Sequence, residues 1–284
     1  MTRNEYHQKI VQYYQETENA YKDSWDLDKS LSIHYGYWDD KVKDFPSSLQ
    51  RMNEAMMEMA LITGKDIVLD AGCGVGGSSI FLASRLGCRV KGISLSERQV
   101  VMAKKHAAEK MLASLVDFQI MDYCNTSFPD SSFDVVWGCE SICYAADKEE
   151  FIREAFRLLK PGGRLVVADG FVTSAENNDN SLVKNWIDGW QVNYLETSEH
   201  FIRMMAKAGF SKIDYRNISK ETWPSTKRLY RFYWLASLYL LYKKINFSRP
   251  ATILQKKNIK ACKYQYLARK KGLWEYSIII GVKS

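Results

Sequence analysis

Proline is scarce in this chain, at five of 284 residues, and no apolar run approaches the roughly 18 residues of a membrane-spanning helix. The scarcity argues against a Pro-rich linker, and no low-complexity tether or internal repeat divides the sequence. The N-terminal stretch MTRNEYHQKIVQYYQETENAY is charged throughout and lacks the apolar core of a secretory signal, so a soluble, cytoplasmic protein is expected. The six cysteines (73, 88, 124, 139, 143 and 262) form no C-x-x-C pair and have no histidines at ligand spacing. They are expected to be reduced and mostly buried, with no metal role. What the chain does have is 46% hydrophobic residues, enough for a substantial core, and a length that suits one domain with an elaboration.

Charge is unevenly spread. Residues 220–284 carry 15 Lys and Arg against two acids, Glu221 and Glu275, so the overall +7 conceals an acidic body joined to a strongly basic C-terminal segment. Such a segment suits an anionic substrate, an acidic lipid surface or nucleic acid, or it is simply a solvated face.

From residue 66 onward short apolar runs alternate with helical periodicity, the pattern of a parallel sheet flanked by helices. DIVLDAG, RVKGISL, VDFQIMD, FDVVWGCE and GRLVVAD read as five strands, with helices in SSIFLASRLG, ERQVVMAKKHAAEK and KEEFIREAFRLLK. Pro161, Gly162 and Gly163 stop the last of these helices. A further helix (TSEHFIRMMAKAGF), the strand SKIDYRNI and a closing strand GLWEYSIIIGV complete a doubly wound α/β fold with a seven-stranded, mostly parallel sheet.

Three segments fall outside that core. Tyr6, Ile10, Tyr13, Tyr14, Thr17 and Tyr21 recur at helical spacing, predicting an amphipathic helix over residues 4–22 on the ligand edge of the sheet. A second helix carries Trp186 and Trp190 on one face. The third segment, residues 221–271, holds the aromatic run FYWLASLYLLY and is expected to fold over the ligand edge as a lid. The predicted organisation is a helical cap over residues 1–60, a core over 61–220, a basic aromatic lid over 221–271 and a final strand over 272–284.

The stretch VLDAGCGVGGSS packs Gly72, Gly74, Gly76 and Gly77 behind Asp70. Glycines let a backbone turn tightly and approach a ligand, and the helix start just beyond offers free N–H groups. A dinucleotide would call for an acid at the end of the second strand to hold a ribose diol, but Ser94 and Leu95 stand there. Asp70 would repel a pyrophosphate and suits a ligand bearing an ammonium or a sulfonium.

S-adenosylmethionine carries both groups. The pattern L-D-x-G-C-G, with Asp122 ending the third strand in IMDY, resembles the class I S-adenosylmethionine-dependent methyltransferases. Within them the chain is most similar to the branch of tocopherol, sterol and cyclopropane-forming enzymes, through HYGYW (34–38), GISLSERQ, CESICY (139–144) and RKKGLWEYSIII. That resemblance implies S-adenosyl-L-methionine as cofactor and S-adenosylhomocysteine as product. It implies that Ser94 and Gln99 hold the ribose and Asp122 and Tyr123 meet the adenine. By the same resemblance Gly72 and Gly74 meet the methionine portion, Gly76 and Leu95 join the binding set, and Tyr14 and Tyr35 close over the cofactor.

Methyl transfer from a sulfonium needs alignment and exclusion of water, and a base only where the nucleophile must lose a proton. Glu140, at the carboxyl end of the fourth strand, is the candidate for that role; bonding the methionine ammonium or the backbone is its alternative role, and His34 and His200 are further candidates. Trp186, Trp190, Tyr230, Tyr233 and Trp234 are expected to line the acceptor pocket, which suits a small apolar acceptor such as a prenyl chain, sterol, quinone or alkaloid. Cyclopropane formation on a lipid, and O- or N-methylation of a ring metabolite, stand as alternatives. Lys256, Lys260 and Lys263 form a basic stripe beside Ile259, Cys262 and Tyr266. That helix suits an anionic membrane, the diphosphate of a prenyl substrate, or solvent alone. A nucleic-acid substrate is not expected, because CESICY stands where amino-methyltransferases of nucleic acids often carry [ND]-P-P-[YF]. The oligomeric state is left open.

Overall fold

The computed structural model describes residues 1–25, 27–246 and 251–284. Its strands are β1 (Ile67–Ala71), β2 (Arg89–Ser94), β3 (Val116–Ile120), β4 (Phe133–Cys139), β5 (Leu159–Val172), β6 (Phe210–Asn217) and β7 (Trp274–Lys283). They form one sheet in the order β3-β2-β1-β4-β5-β7-β6. The first five are parallel to one another, and β7 runs antiparallel between β5 and β6. Because both faces are covered, these strands are nearly continuous apolar runs whose side chains alternate between two cores. On β4, Val135 and Trp137 enter one buried cluster while Val136 enters the other.

The helices are α1 (Arg3–Trp25), α2 (Leu27–Ser30), α3 (Phe45–Met59), α4 (Gly77–Leu86), α5 (Glu97–Glu109), α6 (Lys148–Leu158), α7 (Ser181–Gly189), α8 (Ser198–Ala208), α9 (Ser219–Asn246) and α10 (Ile253–Lys270). Side-chain caps start several of them: Ser96 accepts from the Gln99 N–H, Asp147 from those of Glu149 and Glu150, and Thr197 from that of His200. Pro161, Gly162 and Gly163 do more than end α6. The helix stops at Leu158, and these residues bulge out of β5, so that Phe133 pairs with Leu159 and Val135 with Arg164.

The antiparallel direction of β7 has a direct consequence for the site. Trp274 lies opposite Val172 and Tyr276 opposite Gly170, so the beginning of the last strand sits at the carboxyl edge, where the parallel strands end.

Helices α9 and α10 occupy the insertion expected over residues 221–271, of which 247–250 lie outside the described residues, as does Asp26 of the expected cap. The insertion packs on α7, on the cap and on the start of β7. Ser225 on α9 accepts from the Gly36 N–H at 2.9 Å and from Trp38 Nε1 at 3.0 Å, clamping the HYGYW segment. Gln265 on α10 accepts from the Tyr35 hydroxyl at 3.0 Å. The insertion thus meets the sheet edge both through the HYGYW segment and directly, the Gln265 carbonyl accepting from Trp274 Nε1 at 2.8 Å. No described helix is long and apolar enough to cross a membrane.

Candidate active site

Gly72, Gly74 and Gly76 have φ of +89°, +52° and +91°, a left-handed backbone that only glycine adopts cheaply. The N–H groups of Gly72 and Cys73 donate to the Ile93 carbonyl at 3.0 and 2.9 Å, tying the loop to β2. Helix α4 then starts at Gly77 without a side-chain cap, and of its first N–H groups that of Ser79 serves the Asp70 carboxyl. In front of the loop lies a cleft of about 900 Å³ including its mouth. Tyr14, Asp70, Gly72, Gly74, Ser94, Leu95, Gln99, Tyr123 and Glu140 all line it. Asp70 is buried, and burial pushes its carboxyl up to about 6 against the opposing hydrogen bond from the Ser79 hydroxyl at 2.6 Å. Ser94 donates to Gln99 Oε1 at 2.8 Å, which links the end of β2 to α5.

Three of the expected cofactor positions do not line this cleft. Gly76 faces inward: an added Cβ would come within 2.9 Å of Phe118 and 3.1 Å of Ala103, so this glycine serves loop packing. Asp122 turns its carboxylate to the Cys124 N–H at 2.8 Å and lies 3.7 Å from His7 Nε2. Tyr35 belongs to a second cavity, of about 670 Å³ including its mouth, behind the first.

The two cavities share Tyr14, Ile33, Glu140 and Tyr144 as a common wall. Glu140 follows β4 with φ of +49°, its N–H bonded to the Ala168 carbonyl at 2.8 Å. Its Oε1 accepts from the Tyr35 N–H at 2.5 Å and from the Tyr276 hydroxyl at 2.6 Å. Burial pushes this carboxyl up to about 8, the two donors opposing and the nearby Asp169 charge adding to the rise. Asp169, also in the second cavity, accepts from the Cys143 N–H at 2.8 Å and is pushed by burial up to about 6. Below it Lys148 is buried, with Nζ donating to the carbonyls of Cys143, Ala145 and Tyr194 at 2.9, 2.9 and 3.1 Å. Burial lowers its ammonium to about 8.

Nine of the seventeen residues around the second cavity are aromatic, Trp186 and Trp190 of α7 among them. Trp186 packs on Trp274 at 4.5 Å between centroids, and Tyr35 meets Tyr276 at 5.5 Å. The expectation for Tyr230, Tyr233 and Trp234 is corrected: none lines either cavity. Tyr230 stacks on Tyr266 at 4.3 Å, Tyr233 stacks on Tyr230 at 6.4 Å, and Trp234 is 52% exposed. Tyr233 lies on the face of α9 that buries Thr222, Thr226, Leu229 and Ala236 and packs against the core, Tyr230 turns toward α10, and of the three only Trp234 faces outward. The expected apolar face of α10 is also taken, with Cys262 buried and Tyr266 held between Tyr230 and Trp223. Lys256, Lys260 and Lys263 line neither cavity.

His34 lines the first cleft, with Nδ1 2.9 Å from the Tyr35 carbonyl, and burial lowers its pKa to about 4. His200 is half-exposed on α8, its Nδ1 3.1 Å from Glu196. Sequence reasoning passed over Asp169, Trp274, Tyr276, Lys148 and Arg269. The first three carry a signal in hindsight, since Asp169 stands near the carboxyl end of a parallel strand and WEYS opens the antiparallel one. Arg269 carries none: its NH1 donates to Thr226 Oγ1 at 2.6 Å, its NH2 to Thr222 Oγ1 at 2.7 Å, and its guanidinium lies 4.5 Å from the Trp274 ring centre.

The residues present fit S-adenosylmethionine. Nothing lies within 4 Å of where a Cβ on Gly74 would stand, which leaves the loop open to a closely approaching ligand, and a carboxyl and a helix start flank it. Among the described residues no group of His, Cys, Asp and Glu is arranged to hold a metal ion.

Fold and site together define a nucleotide-cofactor enzyme of the doubly wound class, and comparison with known proteins gives its family. Residues 69–167 match a family model described as a methyltransferase domain. Methyltransferase GfsG of Streptomyces halstedii is 30% identical over 197 residues, covering 68% of this chain and 71% of that protein. Tocopherol O-methyltransferase of Arabidopsis thaliana is 33% identical over 199 residues, and there the match spans 66% of this chain and 55% of the relative. Among solved structures, the [4+2]-cyclase SpnF superposes with a TM-score of 0.80 at 23% identity, covering 98% of this chain and 96% of that one. Geranyl diphosphate C-methyltransferase from Streptomyces coelicolor A3(2) gives 0.74 at 20%, covering 98% of each. At these identities the structural likenesses bear on the fold alone. The chain belongs to the class I S-adenosylmethionine-dependent methyltransferases. Its cofactor is S-adenosyl-L-methionine and its reaction is methyl transfer.

Proposed function

We propose that this enzyme methylates a small, largely apolar acceptor of isoprenoid, sterol, quinone or related natural-product type, bound in the second cavity, with Glu140 receiving or guiding the acceptor's proton. The observation that carries this reading is that the two cavities meet at Glu140 and Tyr14. The cofactor supplies the activated methyl group; the chain aligns the acceptor and keeps out water. The acceptor end that reaches Glu140 is neutral or basic, because among the described residues no Lys, Arg or His lines the second cavity, whereas Glu140 and Asp169 both do. An anion there would be stripped of water between two carboxyls. A hydroxyl or an amine would instead find an acceptor for its proton, and the aromatic walls favour a positive charge that develops on nitrogen or carbon. Methylation at oxygen or nitrogen of a ring metabolite falls within this reading, and a diphosphate deep in the cavity does not.

The test uses cofactor labelled on its methyl group and a set of acceptors built on one apolar frame, ending in a phenol, a secondary amine or a diphosphate. Label in the phenol or amine product supports the proposal. Transfer only to the diphosphate would overturn the charge assignment, and transfer to none of them, with native extract labelled solely in water-soluble products, would overturn the apolar acceptor as well.

A further inference from the structure

Along α9 the exposed residues fall on one stripe. Lys227, Arg231, Trp234, Leu238 and Leu241 follow at intervals of four, three, four and three, with Leu235 beside them, so they share a face, and the exposed Tyr239 lies on its flank. Trp234, Leu235, Leu238 and Leu241 are 52%, 67%, 65% and 57% exposed. Isolated exposed leucines are ordinary on a protein surface, but four large apolar side chains in two helical turns make a contiguous patch. Helix α10 runs antiparallel alongside: Tyr266 stacks on Tyr230, and Lys263 Nζ lies 5.6 Å from the Tyr233 ring centre. Continuing in that register, Lys260 and Lys256, both exposed, flank the stretch from Trp234 to Leu241. Between Glu221 and Glu275 the sequence has no acidic residue at all.

We infer that this face of α9, edged by Lys227, Arg231, Lys256, Lys260 and Lys263, docks the enzyme on an anionic lipid membrane. An apolar stripe rimmed by cations is what a helix lying in the plane of a bilayer presents: the stripe enters the acyl boundary and the rim meets acidic headgroups. The amphipathic helix is α9, and α10 contributes only its basic edge. A second copy of the chain fits less well, because a two-fold contact through this face would set its basic rims against each other. The opposite side of the same helix holds the HYGYW segment through Ser225, and that segment supplies Tyr35 to the second cavity, so the docked face lies one helix away from the site. The inference stands apart from the identity of the acceptor.

Flotation of the full chain with phosphatidylcholine vesicles, with and without phosphatidylserine, tests it. The bound fraction is expected to be at least tenfold larger with phosphatidylserine and to fall as salt is raised. The pair Trp234→Glu and Leu238→Glu should reduce it by tenfold or more, and Lys256→Glu with Lys260→Glu should weaken its salt dependence. Both variants should keep the thermal transition and the S-adenosylhomocysteine affinity of the parent, the residues being exposed and outside both cavities. If the glutamate pair loses cofactor binding, Leu238→Ser with Leu241→Ser replaces it. Equal binding to both vesicles, binding to neither, or a concentration-dependent dimer that Trp234→Glu dissolves would each overturn the inference, as would salt-dependent nucleic-acid retention without vesicle binding.

Discussion

The hydroxyl of Tyr276 stands 2.6 Å from Glu140 Oε1, although 136 positions separate the two residues in the chain. They meet because β7 runs against β5, which returns the start of the last strand to the edge where β4 ends. The backbone N–H of Tyr35 reaches the same oxygen, so one carboxyl ties together the cap, the sheet and the wall between the two cavities.

The protonation of Glu140 gives a kinetic signature. Burial pushes its carboxyl up to about 8, so it is neutral below that pH and ionised above. A base must be ionised, and kcat/KM should therefore climb with pH through this region. Glu140→Gln should remove the limb and lower turnover by roughly 10²- to 10⁴-fold, while calorimetry still finds S-adenosylhomocysteine bound. Persistence of the limb in the glutamine variant would assign it to another group.

Tyr276 works through Glu140, since its hydrogen bond favours the ionised form and counteracts burial. Tyr276→Phe should accordingly move the limb of the pH profile to higher pH and leave cofactor affinity in place. A slower enzyme with an unmoved limb would reduce Tyr276 to packing.

Stability should report the same carboxyl. The folded value lies above the ordinary glutamate value of about 4.5, so the folded state holds its proton while the unfolded chain releases it, and wild-type stability falls as pH rises from about 4.5 to about 8. Glu140→Gln has no such loss. Its melting temperature should match the wild type near pH 4 and exceed it near pH 9. The buried Asp70 and Asp169 slope the same way in both proteins and cancel in the comparison. A difference independent of pH would contradict the burial argument.

Gly74 and Gly87 form a matched pair. Both have positive φ and nothing within 4 Å of an added Cβ, but only Gly74 lines the first cleft, Gly87 being the C-cap of α4. Alanine at either should cost about 1–2 kcal/mol for the left-handed backbone. Titration with S-adenosylhomocysteine should show at least tenfold weaker binding for Gly74→Ala and no change for Gly87→Ala. Equal behaviour would remove the loop from cofactor binding.

Lys148 holds three backbone carbonyls below the second cavity. Lys148→Met keeps the bulk and orphans all three, at a cost of about 2–4 kcal/mol in denaturant unfolding. A change under about 0.5 kcal/mol would mean that water replaces the ammonium.

Much of this was legible before the structure. Left-handed glycines after an apolar strand, the alternation of strand and helix, and Glu140 at a strand end all follow from local rules, because steric limits and side-chain period act within a few residues. That Tyr230 and Tyr233 are taken up by packing against α10 and the core, and that Trp234 faces outward, was not legible. Both faces of α9 carry large apolar residues, and periodicity says which of them share a face, without saying which face meets the protein. Asp122 and Gly76 illustrate the same limit on a smaller scale: the Asp122 carboxylate accepts from the Cys124 N–H, and a Cβ on Gly76 would point at Phe118 and Ala103.

By itself the sequence determined a doubly wound sheet, a glycine loop for S-adenosylmethionine and a basic C-terminal segment, since each is written in neighbouring residues. Tertiary structure alone decided that Tyr35, Glu140, Asp169 and Tyr276 surround one cavity and that the lysines of α10 stay outside it. Those arrangements depend on the reversed last strand and on which helix face is buried, and both are settled by long-range packing, where no local pattern reaches.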